Sequence, residues 1–120
     1  MTVSWILQGL LAAAFLGAGS MKLARTREQL LAQGAAMAWV EDFGPTSIRL
    51  IGVAEVLGAV GLVVPTVTGI LPVLATVAAG GLVLLMIGAA AIHVRRGEVR
   101  ALAAPVALGA MALAAVFLRP

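Results

Sequence analysis

Apolar residues come in four long blocks, at about 3–21, 46–64, 70–92 and 101–118, separated by short polar stretches. Each block is apolar nearly all round a helix and does not alternate in the manner of a strand, and each approaches the roughly 20 residues needed to cross a bilayer core. The pattern therefore predicts an all-α fold: an integral membrane four-helix bundle forming one domain over 1–120. The first connector is the longest. Within it, residues 28–43 carry Leu30, Leu31, Met37, Trp39, Val40 and Phe43 among charged and small residues. That spacing predicts a short interfacial helix between the first two spans, lying on the membrane surface or folding back over the bundle.

Breakers and caps set the expected boundaries. Gly44-Pro45 closes the connector, Thr46 or Ser47 supplies a cap for the second span, and Pro65 marks its exit because proline cannot continue a helix. Pro72 falls in the first turn of the third span and Pro105 early in the fourth, both tolerated places. Small residues at four-residue spacing, such as Ala14 and Ala18, let helix backbones approach closely in lipid.

Composition agrees with lipid as the main solvent: 62% of the chain is hydrophobic and 11% charged. The net charge of +3 does not indicate nucleic acid, because the cations sit at the ends of apolar blocks and not along a soluble face. Lys22, Arg25 and Arg27 follow the first block, and Arg95, Arg96 and Arg100 follow the third, whereas the second connector and the N-terminal tail hold none. By the positive-inside rule these two connectors face the cytoplasm and both termini face out, with Arg119 a minor opposing signal. Arg95, Arg96 and Arg100 are read as orientation signals and contacts to anionic lipid. No Lys or Arg precedes the first apolar block, so this segment is expected to remain as a span and not to be cleaved as a signal peptide. The expected place is a membrane crossed several times, with these two connectors on its cytoplasmic side. The chain has no cysteine, which excludes disulfides, thiolate ligands and iron–sulfur chemistry within it. The lone His93 offers no metal-ligand spacing, and there is no phosphate-binding glycine loop.

Glu55 is the residue that orientation does not explain. It lies deep inside the second block, where a carboxylate costs several kcal/mol unless paired, protonated or wet, and so defaults to a functional-site candidate. Arg49 precedes it by six residues, roughly 9 Å along a helix and about 120° round it. Lys22 at the end of the first span and His93 at the end of the third arrive at the same side of the membrane. Lys22, Arg49, Glu55 and His93 are therefore the candidate ligand-binding cluster, with Glu55 and His93 the catalytic acid–base pair if the protein is an enzyme. The structural alternative has Arg49 and Glu55 locking helix to helix, His93 capping the third span and Lys22 snorkelling to the interface. Gln8, nearer the outer face, is read as an interhelical hydrogen-bond donor, and Met37, Trp39 and Phe43 as anchors of the surface helix more than as a ligand lid.

The residues that carry these features resemble the DoxX-like family of small bacterial membrane proteins. The likeness rests on Gly19-Ser20-Met21-Lys22-Leu23, on Arg49-x-x-Gly52-x-x-Glu55-x-x-Gly58-x-x-Gly61-Leu62 and the following Pro65, and on Met86-Ile87-Gly88-Ala89-Ala90-Ala91-Ile92-His93. It implies a four-helix membrane bundle. It also implies a redox setting, since the family name comes from a subunit of an archaeal terminal oxidase and thiosulfate:quinone oxidoreductase. Without cysteine this chain is not expected to handle thiosulfate sulfur covalently.

Three functions follow as expectations. In the first, the cluster binds a lipophilic molecule, with quinone as the cofactor, or the bundle serves as membrane partner of a soluble oxidoreductase. In the second, the chain is a cofactor-independent acid–base enzyme, an isomerase, cyclase or epoxide hydrolase acting on a lipophilic substrate. The third is a structural or assembly protein. Membrane lipid is the expected surrounding partner, with a soluble oxidoreductase or a second copy of the chain, in a homo-oligomer, as the candidate protein partner.

Overall fold

The computed structural model describes residues 2–118. Among them there is no strand, and four helices are long and apolar enough to cross a membrane. The spans are α1 (Thr2–Ala24), α3 (Pro45–Thr68), α4 (Val73–Arg95) and α5 (Ala103–Phe117). A one-turn helix, α2 (Arg27–Leu31), and a 3-10 segment, Ala35–Asp42, occupy the first connector; a second 3-10 segment, Val99–Leu102, leads into α5. The Arg119 topology signal lies outside the described residues.

The helices are arranged in a ring, α1 against α3, α3 against α4, α4 against α5, with a sparser α1–α5 seam. One stripe of each helix is buried at spacings of three and four: Leu11, Phe15 and Lys22 on α1, Ile48, Gly52, Glu55, Ala59 and Leu62 on α3. Leu10, Leu57, Leu84 and Ile87 point outward and are more than half exposed. In water such a surface would aggregate, whereas in a bilayer it is the lipid contact. The main core, with Phe15, Leu62, Leu82 and Met86, fills the half of the bundle remote from the first connector.

That connector closes the other half. Thr26 caps α2: its hydroxyl accepts from the Gln29 amide at 3.1 Å while Gln29 Oε1 accepts from the Thr26 amide at 2.9 Å. Arg27 then donates to the carbonyls of Phe43 and Glu41, both at 2.9 Å. This pulls the Ala35–Asp42 segment across the bundle end, where Leu30, Met37 and Val40 bury themselves against Ile48 with Trp39 and Phe43 beside them. The connector thus folds back over the bundle, as one helical turn plus 3-10 turns and not a single surface helix.

Three boundaries differ from the sequence reading; the third span starts at Val73 with Pro72 as its N-cap and not within its first turn. The cap of α3 is Gly44 with Pro45 in the first turn, so Thr46 and Ser47 lie inside the helix. Its exit is Gly69, left-handed at φ 71°, and not Pro65, which is buried within the helix. Proline removes the backbone donor that would serve the Gly61 carbonyl; in the same turns the Thr66 hydroxyl donates to the Leu62 carbonyl at 3.1 Å and Thr68 to Val64 at 2.7 Å, so both hydroxyls are paired within the helix and neither is left bare to lipid.

Candidate functional site

The site begins with two glycines. A Cβ built on Gly19 would lie 2.6 Å from the Gly52 carbonyl oxygen, and one on Gly52 would lie 3.0 Å from the Gly19 oxygen, so α1 and α3 touch backbone to backbone. Lys22 and Glu55 each lie three residues after these glycines on antiparallel helices. Side chains tilt toward their own helix N-terminus, so Lys22 leans deeper into the bundle and Glu55 leans toward the capped end. They meet: Lys22 Nζ donates to Glu55 Oε1 at 2.6 Å, with both residues buried. The Lys22 ammonium also lies 5.8 Å from the centroid of the Trp39 ring, within cation–π range.

His93 comes from the last turn of α4. The chain turns back at Gly97, left-handed at φ 70°, and the Glu98 amide donates to the His93 carbonyl at 2.9 Å while that of Gly97 donates to Val94 at 3.1 Å. This paired C-terminal bonding returns Glu98 over His93, and Glu98 Oε1 lies 2.9 Å from His93 Nδ1. The His93 hydrogen bond, followed by that of Arg96, holds the Glu98 carboxyl below its ordinary value. An ionised carboxylate only accepts, so Nδ1 carries the proton and Nε2 is the nitrogen left for other chemistry.

Arg96 joins these pieces to the cap. It donates to Asp42 at 2.7 Å and to Glu98 at 3.1 Å, with Glu41 at 3.9 Å. One guanidinium therefore fastens the segment bearing Trp39 to the end of α4.

Between these groups lies a cavity of about 370 Å³. Lys22, Glu55, His93 and Trp39 supply its polar and aromatic wall; Ile51, Met86, Ile92 and Leu108 are among its apolar lining. That volume is in the range of small-molecule sites. A second groove of about 510 Å³, lined by residues without polar side chains, runs along α3 and α4 past Leu57, Gly58 and Gly81, and shares Leu84 and Leu85 with the cavity.

The profile of the DoxX-like family matches residues 6–115. The chain belongs to the DoxX-like family. The match runs from within the first span to within the fourth and includes every residue named for the site. No curated protein and no solved structure shows significant similarity to the chain.

In this DoxX-like bundle three of the four sequence-named residues, Lys22, Glu55 and His93, line one cavity. Arg49 does not. It is exposed, makes no ion pair among the described residues and borders a different cleft, because it sits off the buried stripe through Ile48, Gly52 and Glu55. The helix-to-helix lock is accordingly Lys22–Glu55 and not Arg49–Glu55. Arg96, read from sequence as a lipid contact, is instead the fastening of the cap. Gln8 is buried at 1% exposure, and neither of its side-chain polar atoms has a hydrogen-bond partner among the described residues. Glu98 was not foreseen. The available signal was Gly97 just past the end of the third span, which marks a turn that brings the next residue back over the last helical turn.

Proposed function

We propose that this DoxX-like protein binds a lipophilic molecule with a small polar head, best matched by a quinone, and presents it to a soluble oxidoreductase at the capped end. The observation that carries the reading is that Lys22, Glu55 and His93, from three helices, line one cavity whose lining is otherwise apolar or aromatic. The residues suit a quinone. Lys22 uses one of its three ammonium protons on Glu55 and keeps others to donate, His93 Nε2 is left by the Nδ1 contact, and Trp39 offers a flat aromatic face. A bound quinone supplies a two-electron, two-proton carrier. The chain's own part is to orient the head through Lys22, to hold or release a proton at His93 and Glu55, and to seat an isoprenoid tail in the apolar groove that shares Leu84 and Leu85 with the cavity. By the distribution of Lys and Arg, the capped end faces the cytoplasm of a bacterial inner membrane.

Tryptophan emission in lipid nanodiscs tests this directly, because Trp39 lines the cavity and Trp5 lies near the opposite end of α1. Titration with a ubiquinone or menaquinone analogue is expected to quench emission saturably, and the Lys22→Met/Glu55→Gln double variant, which keeps the interior neutral, is expected to weaken binding at least roughly tenfold, the loss of one charge-assisted hydrogen bond. Equal affinity in that variant overturns the site assignment.

The His93–Glu98 contact favours a second reading, an acid–base enzyme on a lipophilic substrate, because a carboxylate that fixes the imidazole tautomer is how a histidine is prepared for proton transfer. Turnover of a terpenoid or epoxide by the purified chain with no electron donor separates it from the first. In the third reading, a structural or assembly protein, Lys22–Glu55 serves helix packing alone, and no ligand titrates.

A further inference from the structure

Next to the ligand cavity, and sharing Lys22 with it, lies a cleft of about 200 Å³ bordered by Arg25, Arg27 and Arg49, with Glu28 the acid on its rim. Its charge is not balanced within the chain. Lys22 is paired with Glu55, and Arg27 directs its guanidinium to backbone carbonyls that carry no net charge. Arg25 and Arg49 are exposed and form no ion pair among the described residues. The cleft also touches Pro45, the first residue of the 24-residue α3, so the positive end of that helix dipole adds to the same field.

We propose that this cleft binds the phosphate of an anionic phospholipid headgroup, held between Arg25 and Arg49. A guanidinium pair matches phosphate geometry through bidentate hydrogen bonds. The source is a lipid and not a free ion because of what lies beside the cations. Arg25 is just past the last turn of α1 and Arg49 is in the second turn of α3, which sets the cleft at headgroup depth. Leu23, Leu50 and Val53, on the same helices, are exposed apolar side chains adjoining the cations, placed to take acyl chains. Arg49, which the ligand cavity leaves out, thereby has its own role, and this site stands or falls separately from any quinone binding.

Native mass spectrometry of the protein released from phosphatidylcholine vesicles containing minor phosphatidylglycerol tests the proposal. The expected result is enrichment of phosphatidylglycerol on the wild type, reduced at least roughly tenfold in Arg25→Gln/Arg49→Gln, as the loss of two interfacial cations predicts. Arg95→Gln/Arg100→Gln, which removes two exposed cations that do not border the cleft and contact anionic lipid only as diffuse surface charge, is expected to keep most of the enrichment. Inorganic phosphate is the third arm. If it competes only weakly, the acyl chains contribute and the lipid source holds; if it binds tightly and phosphatidylglycerol is not enriched, the ligand is a soluble phosphate and the lipid assignment fails. Equal loss in both double variants reduces the effect to net charge and overturns the site. An unchanged melting temperature in the Arg25/Arg49 variant verifies that folding is not what was lost.

Discussion

Replacing Glu55 by glutamine keeps the side chain's shape and removes its charge, leaving the Lys22 ammonium in a position only 8% exposed. At 2.6 Å and an effective dielectric of about 20 the lost attraction is about 6 kcal/mol, set against a desolvation penalty of several kcal/mol for each ion. A buried ion stripped of its partner typically costs about 3–5 kcal/mol, roughly two to three and a half decades in the folding equilibrium. Reversible unfolding in bicelles should show a loss of that size for Glu55→Gln and a comparable one for Lys22→Met, which strands the carboxylate. The double variant leaves no charge to strand. It should recover most of the loss, ending within about 1 kcal/mol of wild type or above it. If the double variant costs the sum of the two single ones, the residues are not coupled. If Glu55→Gln alone costs less than about 1 kcal/mol, the pair is hydrated and the cavity wall is not the dry environment inferred from its burial.

Three further outcomes follow from the same geometry. Gly19→Ala drives a Cβ to 2.6 Å from the Gly52 oxygen and 2.8 Å from a Val56 methyl, and overpacking should cost about 1–3 kcal/mol, whereas Gly81→Ala meets nothing within 4 Å and should be neutral or slightly stabilising in the same unfolding assay. Arg96→Gln removes the tie from α4 to Asp42, so collisional quenching of tryptophan emission by a soluble quencher should rise, and in an Arg96→Gln/Trp39→Phe background that rise should vanish. The depressed Glu98 carboxyl places the pH dependence on the acid side. A carboxyl that titrates below its ordinary 4.5 contributes fully above that value and loses its contribution only as pH falls through the lower folded value. Hydrogen exchange at the amides of the last α4 turn should therefore be independent of Glu98 ionisation from neutral pH to about 4.5 and speed up only below, after correction for intrinsic exchange; acceleration absent from Glu98→Gln but present in wild type near pH 6 would contradict it.

The four spans, their approximate limits and their lipid environment were legible from hydropathy alone, because no other solvent tolerates so many apolar faces. Glu55 was legible for the same reason: one carboxylate among apolar neighbours stands out without any knowledge of the fold. Its partner was not. Lys22 and Arg49 are both cations at one side of the membrane, and sequence offers no distance between residues 33 positions apart. The α1–α3 crossing made the choice. Gly19 against Gly52 brings two backbones into contact and aligns Lys22 with Glu55, while helical geometry turns Arg49 about 120° away, toward the outer cleft. Tertiary structure likewise turned Arg96 from a topology signal into the fastening of the cap, and Trp39 from an anchor into part of the cavity wall. Hydrophobicity is summed along the chain and can be read there, whereas pairing depends on which helix faces meet, and in this bundle two glycines decide that.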